Sequence, residues 1–336
     1  MRVMTKYWIS LRAVRGDNFT DDIDLGATRY LKVPDGETPM PHHAIGVSQW
    51  IKDLIASFPL QPSPVDRSPV ATGDVVFFAH GYNTTVATID AAQNELSRGL
   101  SDNDFRCQVV AFDWPSGDSA FAYLRDLDHA RTTAIRLVKA GIKPFLAALA
   151  KNCNVRVHAI GHSMGCFVLR EAFDHADDGA AASSNWAVGQ LVMFAGDVDA
   201  PSFAEGDADT ESMYRHCYRF TNYFNRYDEI LQISNAKRFG VEPRVGRVGL
   251  PDTAPSSSCN VDCSAWFDTT YGAQAGTLEY PGLTHSWYFT DRLFLRDLSY
   301  ALAGKIDRQK IPTRGPGPGQ TQILNGGPAQ VMLASG

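Results

Sequence analysis

Long hydrophobic runs, an excess of positive charge and a cysteine framework are all missing from this sequence. No stretch reaches the roughly 18 to 20 uninterrupted apolar residues of a membrane-spanning helix. Lys and Arg number 31 against 37 Asp and Glu, and the net charge of −6 is opposite to that of nucleic-acid-binding proteins. The six cysteines are scattered along 336 residues, which favours reduced thiols. Residues 1–16 show no signal-peptide core, so we expect a cytoplasmic protein with no integral membrane segment and no nucleic-acid partner.

The composition that is present is that of a folded globular protein. Hydrophobic residues make up 44% and charged residues 20% of the chain, which excludes a disordered or collagen-like protein. From residue 74 onward, short apolar runs alternate with longer helical stretches, a pattern typical of βαβ units around a parallel sheet. The predicted strands cover residues 75–79, 108–112, 155–160, 191–195 and 218–224. The sequence therefore predicts an α/β fold.

The chain is divided by composition rather than by a clear linker. We predict one domain over residues 1–304, with residues 1–73 as an N-terminal extension packed on it. Residues 238–281 are rich in Gly, Pro, Ser, Thr and Asp and are predicted to form a loop-rich cap or pocket wall. A last helix is expected from about residue 290 to Gly304, followed by a flexible Gly/Pro-rich tail over residues 305–336.

A G-x-S-x-G motif follows the third predicted strand. Its residues are Gly161, His162, Ser163, Met164 and Gly165, and a helical pattern comes directly after them. Strand, tight turn and helix in this order project a serine hydroxyl above the sheet edge, where it can act as a nucleophile. The alternative is that Ser163 only caps the helix.

An oxyanion hole is expected where the first predicted strand ends. That strand leads into His80, Gly81 and Tyr82, and the glycine permits a sharp turn. The backbone N–H groups of Tyr82 and Met164 could then stabilise a tetrahedral intermediate. The alternative is an ordinary turn at the end of a strand.

A base and an acid are expected downstream of the serine, because this order is typical of the G-x-S-x-G fold class. Asp228 follows the fifth predicted strand, and His285 is the only histidine beyond His216. Asp197 and Asp199 also follow a strand and are alternative acids. Asp228 could instead cap a helix, and Asp197 could bind backbone N–H groups.

Further residues near these loops are weaker candidates for a substrate pocket. They are His80, Trp114, His162 and Trp287. Aromatic residues beside a loop more often belong to the core, and this alternative remains open for the two tryptophans.

Two cysteines, Cys259 and Cys263, are four residues apart. A zinc site usually needs four ligands in recognisable pairs, so this spacing alone is a weak signal. Zinc, a local disulfide and free thiols are all compatible with it. We expect free thiols and no metal.

Three segments resemble the alpha/beta-hydrolase superfamily, and in particular a bacterial family without an established physiological substrate. They are FFAHGYNTT at 77–85, FDWPSGDSAFAYLRD at 112–126 and GHSMG at 161–165. The resemblance implies a mostly parallel sheet with helices on both faces. It also implies a Ser163, Asp228 and His285 triad with an oxyanion hole from Tyr82 and Met164, but no substrate.

These features together predict a serine hydrolase. Ser163 would attack a carboxylic ester, as in a carboxylesterase or lipase, and form an acyl-enzyme without metal or organic cofactor. The expected substrate is a small, uncharged and partly apolar ester. The same triad could act on an amide, a thioester or a polymeric ester, or transfer the acyl group to an alcohol. A non-catalytic interaction protein on this scaffold is a further alternative, and the oligomeric state is open.

Overall fold

The computed structural model describes residues 5–63, 65–116, 123–149, 153–177, 186–237, 242–277, 279 and 282–326. Its strands are β1 (Lys6–Ser10), β2 (Arg12–Arg15), β3 (Asn18–Ile23), β4 (Arg29–Val33), β5 (Ala44–Ile45), β6 (Leu60–Pro62), β7 (Pro69–Ala79), β8 (Cys107–Asp113), β9 (Cys153–His162), β10 (Val188–Phe194), β11 (Cys217–Phe224), β12 (Ser258–Asp262), β13 (Arg314–Pro316) and β14 (Thr321–Leu324).

The α-helices lie between these strands. They are α1 (Val47–Ala56), α2 (Val86–Asp102), α3 (Tyr123–Arg136), α4 (Lys143–Leu149), α5 (Met164–Asp174), α6 (Ala208–Arg215), α7 (Glu229–Lys237), α8 (Val245–Val248), α9 (Ser264–Tyr271), α10 (Leu283–Ser286) and α11 (Arg292–Ala303).

One large sheet organises the part of the chain that the structure describes. Its strand order is β13-β14-β12-β11-β10-β9-β7-β8-β1-β4-β5, and β6 pairs with β7 off this path. The strands from β1 across to β12 and β14 pair in parallel, whereas β4, β5, β6 and β13 are antiparallel to their neighbours. Parallel strands place their carboxyl ends at one edge, and ligands bind at that edge in such sheets.

Helices cover both faces of the sheet. Along β7, Val75, Phe77 and Ala79 belong to a core cluster shared with α1, α3, α4, α5 and α6. Val76 and Phe78 belong to a second cluster with α2, α9 and α11. Since alternate strand residues point to opposite faces, this division follows from the pleat, and both faces are buried.

The predicted α/β fold with a mostly parallel central sheet is confirmed. All five predicted strands are present as β7 to β11, each longer than predicted by one to six residues. The predicted last helix is α11, whose N-terminus is capped by Asp291 and whose C-terminus is followed by Gly304 at φ +63°. A left-handed glycine at this position ends the helix as expected.

Between β8 and β9, the described helical region runs without a break from Tyr123 to Leu149, through Gly141 and Pro144. A π-helical segment, Leu137–Ile142, joins α3 to α4. A Cβ atom on Gly141 would lie 3.0 Å from Ile9 Cδ1, so this glycine lets the wide turn approach β1 closely.

The N-terminal segment is part of the sheet rather than an extension packed on it. β1 pairs in parallel with β8 and antiparallel with β4. Trp8 and Ile9 are fully buried between the layers. Both side chains complete core clusters that later residues of the chain supply.

The segment 238–281 differs from the predicted cap. Its described part contributes β12, which pairs in parallel with β11, and the helices α8 and α9. The strand sequence SCNVD is short and half polar, so it carries no clear strand signal. Residues 238–241, 278, 280 and 281 lie outside the described residues.

The expected flexible tail also joins the sheet up to Leu324. β14 pairs in parallel with β12, and β13 pairs with β14. Arg314 Nη2 donates to Asp297 Oδ1 on α11 at 2.6 Å, and both side chains are 0% exposed. A buried ion pair and backbone pairing therefore hold a segment that has few apolar anchors. Residues 327–336 lie outside the described residues.

Within the described segments, every helix is too short or too polar to cross a membrane.

Candidate active site

Ser163 occupies a strained turn between β9 and α5. Its backbone has φ +56° and ψ −125°, a conformation that non-glycine residues rarely adopt. The flanking glycines are required by contact: a Cβ on Gly165 would lie 2.0 Å from the carbonyl oxygen of Ala79, and one on Gly161 would lie 3.0 Å from Cys166 Cα. The turn therefore lifts Ser163 off the end of β9 and packs it against the end of β7.

Asp228 and His285 form a buried pair at the same edge of the sheet. Asp228 lies just beyond the end of β11, and His285 lies on α10. Nδ1 of His285 donates to Asp228 Oδ2 at 2.7 Å, although the residues are 57 positions apart in sequence. The other carboxylate oxygen, Oδ1, accepts the N–H of Leu231 at 3.0 Å. Asp228 is 0% exposed, so both oxygens have defined partners and a fixed direction.

The pair changes the acidity of the imidazole. Burial alone lowers the pKa of His285, but the charge and hydrogen bond of Asp228 outweigh it and raise the pKa above 6.5. A smaller contribution in the same direction comes from Asp197. The arrangement therefore favours a protonated imidazole, which is the state that a general base reaches during proton abstraction.

His162, next to the serine, links the turn to the histidine loop. Its Nε2 donates to the carbonyl oxygen of His285 at 3.0 Å, and the two rings lie 4.7 Å apart. Burial and the nearby His285 hold the pKa of His162 well below its usual 6.5. His162 is thus a neutral donor that places the His285 backbone against the Ser163 turn.

The loop after β7 lies directly against Ser163. A Cβ on Gly81 would lie 2.9 Å from Ser163 Cβ. The next residue, Tyr82, is half-buried, and Met164 opens α5, where the first N–H groups of a helix have no intrahelical acceptor. Gly81 and Ser163 are therefore in close contact, and each is followed in sequence by one of the two predicted oxyanion donors, Tyr82 and Met164.

A scan against protein families matches residues 66–269 to "Alpha/beta hydrolase of unknown function (DUF900)", which is more than half of the chain. The chain belongs to this family. No curated protein matches the chain.

Several solved structures resemble this alpha/beta hydrolase at low identity. A cutinase from Trichoderma reesei is 20% identical, with a TM-score of 0.29, over 47% of this chain and 63% of the cutinase. A dienelactone hydrolase from Anabaena variabilis is 14% identical, with a TM-score of 0.33, over 62% and 84%. A dienelactone hydrolase-like promiscuous phosphotriesterase from metagenomic libraries is 20% identical, with a TM-score of 0.34, over 71% and 88%. Nothing about the substrate of this hydrolase follows from such distant similarities.

The alternative acids of this alpha/beta hydrolase are paired with an arginine. Arg244 lies 3.2 Å from Asp197 Oδ1 through Nε, and its Nη1 donates to Asp199. The N–H of Asp197 donates to the carbonyl oxygen of Ser163 at 3.0 Å. Asp197 thus lies beside the site, while the hydrogen bond to the His285 ring comes from Asp228.

Two of the pocket candidates lie in the core of the hydrolase. Trp114 is fully buried and stacks on His80, with ring centroids 5.2 Å apart, and its Nε1 donates to the His80 carbonyl at 2.9 Å. Trp287 is 1% exposed and packs on Tyr288. Both tryptophans therefore stabilise the loops from behind and present no open surface to a substrate, in line with the core alternative.

Two groups of side chains among the described residues contain potential metal ligands. The Cys259 thiol accepts from Arg314 Nη1 at 3.3 Å, and the Cys263 thiol faces Val261, so the two are free thiols with separate contacts. Glu37, His42 and His43 also lie close together near α1.

In that group, the proton arrangement of His43 opposes metal binding. Its Nδ1 accepts the N–H of Met40 at 3.1 Å, so the proton is on Nε2, which donates to Glu37 at 3.0 Å. Binding of a metal ion at Nε2 would therefore displace this proton and its hydrogen bond to Glu37.

Sequence reasoning missed the arginines around the site. Arg244 lies in a Gly- and Pro-rich segment, and Arg12 lies far from any motif. Both are almost completely buried and paired with aspartates. A single arginine in sequence carries no signal of burial, so only the structure reveals them.

Proposed function

We propose that this alpha/beta hydrolase cleaves carboxylic esters with Ser163 as nucleophile, His285 as general base and Asp228 as its orienting acid. The observation that carries the proposal is the buried 2.7 Å hydrogen bond between His285 and Asp228, on a loop tied to the Ser163 turn. Such a constellation is recognised by geometry and roles rather than by sequence position.

The reaction would proceed in two steps. Ser163 attacks the ester carbonyl while His285 takes its proton, and the alcohol leaves with that proton as the acyl-enzyme forms. Water then attacks the acyl group with His285 again as the base, which releases the acid and restores the serine. The N–H groups of Tyr82 and Met164 would stabilise the oxyanion in both steps.

The test is intact-mass labelling with a fluorophosphonate, which reacts with activated serines. We expect one adduct on the wild type and none on Ser163→Ala or His285→Ala. Ser286→Ala is the matched control, because Ser286 is exposed and adjacent to His285, and it should label like the wild type. Labelling of Ser163→Ala, or no labelling of a folded wild type, would refute the proposal.

Hydrolysis of short p-nitrophenyl esters by the same variants tests the substrate class. A labelled enzyme that cleaves amides or thioesters but no ester would refute the ester assignment while retaining the serine mechanism.

A further inference from the structure

A buried charge pair lies behind the loop that follows β7. Arg12 Nε donates to Asp113 Oδ1 at 2.7 Å, and the two side chains are 1% and 0% exposed. Ser10 Oγ donates to the second oxygen of Asp113 at 2.7 Å, and Arg12 Nη1 donates to Asp21 at 2.7 Å. Arg12 begins β2 and Asp113 ends β8, so the pair joins the N-terminal segment to the catalytic edge of the sheet.

The remaining arm of the guanidinium reaches the loop itself. Arg12 Nη2 donates to the carbonyl oxygen of Thr84 at 2.9 Å. The Thr84 hydroxyl donates to the Gly81 carbonyl at 3.1 Å and lies 2.6 Å from His80 Nδ1. The N–H of Thr84 donates to Ser116 Oγ at 3.2 Å. Residues 80–84 therefore form a closed turn whose last carbonyl is held by Arg12.

This turn contains Gly81, which packs on Ser163, and Tyr82, whose N–H is a proposed oxyanion donor. The direction of a backbone N–H is set by the loop and not by the side chain of that residue. A displacement of about 1 Å at a reacting centre can lower a rate by about 100-fold. Whatever fixes the 80–84 turn thus affects the stabilisation of the intermediate.

We propose that Arg12, itself held by Asp113, is a positioning residue that fixes the direction of the Tyr82 N–H through the Thr84 carbonyl. The inference rests on the proposed function, because it assigns Tyr82 to the oxyanion hole. Arg12 lies outside the family-matched residues 66–269. With Arg12 in this role, the N-terminal segment is part of the catalytic unit and not an appendage.

The chemistry of the pair fits positioning better than stabilisation. Buried ion pairs contribute little net stability, because desolvation offsets the attraction. The guanidinium is planar and carries five N–H donors in a rigid fork, which lets Arg12 contact Asp113, Asp21 and Thr84 at once. Lysine keeps the charge but is a point donor on a flexible stem, so it cannot reproduce all three contacts.

The test compares Arg12→Lys with Arg314→Lys. Arg314 and Asp297 form a second completely buried pair, at the other side of the sheet and without a contact to residues 80–84. Each variant is assayed for kcat and KM on a short ester, at a temperature where both are folded. Hydrogen exchange of the peptide spanning residues 80–86 is measured in parallel, and Thr84→Val provides a milder change that leaves every charge in place.

We expect Arg12→Lys to lower kcat by about 10- to 100-fold with KM within about twofold, and to speed exchange at 80–86. Thr84→Val should shift both in the same direction, and Arg314→Lys should shift neither. Wild-type exchange at 80–86 in Arg12→Lys, or an equal loss of kcat in Arg314→Lys, would overturn the proposal. A wild type without Ser163-dependent turnover would refute the proposed function instead, and hydrogen exchange would still decide whether Arg12 fixes the loop.

Discussion

Replacing Asp228 by asparagine should disable His285 as a base while leaving the fold intact. The N–H of Leu231 donates to Asp228 Oδ1, and His285 Nδ1 donates to Oδ2. An asparagine has one acceptor oxygen, and the Leu231 N–H will hold that oxygen at the Oδ1 position. The amide NH2 then faces His285 and donates to Nδ1.

That reversal forces the imidazole proton onto Nε2, the nitrogen that must accept the proton of Ser163. The expected loss in kcat is about 1,000- to 10,000-fold, which corresponds to about 4 to 5.5 kcal/mol of activation free energy. The pKa of His285 is raised above 6.5 chiefly by Asp228, so wild-type kcat/KM should rise with pH through a midpoint above 6.5. In Asp228→Asn the midpoint of the residual activity should move to lower pH.

The assay is steady-state hydrolysis of a short p-nitrophenyl ester across the pH range, with thermal unfolding as a check of folding. Asp199→Asn is the matched control, because Asp199 is 41% exposed and contacts Arg244 rather than His285. It should stay within about threefold of the wild type. The reasoning is refuted if Asp228→Asn keeps wild-type kcat, and a large loss in Asp197→Asn alone would move the acid to Asp197.

Three further predictions concern stability. Gly165→Ala places a Cβ 2.0 Å from the backbone oxygen of Ala79, which cannot move away. The free energy of unfolding, measured by chemical denaturation, should fall by about 1 to 3 kcal/mol, and labelling of the serine should slow. Wild-type stability would contradict this prediction. Asp297→Ala leaves the Arg314 guanidinium buried without its carboxylate. The free energy of unfolding should therefore fall by about 3 to 5 kcal/mol. A loss below about 1 kcal/mol would argue against the buried pair. Because burial depresses the pKa of His162, below about pH 6.5 the unfolded chain binds a proton at this residue that the native state does not bind. The free energy of unfolding should therefore fall on acidification, by up to about 1.4 kcal/mol per pH unit. In His162→Asn this slope should be smaller, and an unchanged slope would exclude His162 as its source.

The parallel sheet was accessible from sequence because each central strand is buried on both faces. β7 to β11 therefore appear as short apolar runs, and helical periodicity marks the segments between them. The outer strands gave weaker signals. β12 and β14 contain polar residues such as Asn260 and Thr321, which pair at the edge of the core instead of filling it.

The candidate site also has one part that the sequence could predict and one that it could not. The G-x-S-x-G motif is local, because a strained turn needs small neighbours at fixed positions, and this made Ser163 accessible from sequence. The sequence favoured Asp228 as the acid but left Asp197 and Asp199 open, because each follows an apolar strand and only the packing decides which carboxylate faces His285.

The sequence by itself determined the central strands β7 to β11, the serine turn and the late histidine, since each depends on neighbours within a few residues. Only the tertiary structure decided which acid meets the histidine, that the tail and the N-terminal segment complete the sheet, and that Arg12 lies behind the loop after β7. The physical reason is that burial and charge pairing join residues far apart in sequence, such as Arg12 and Asp113 at 101 positions, and no local pattern records such a contact.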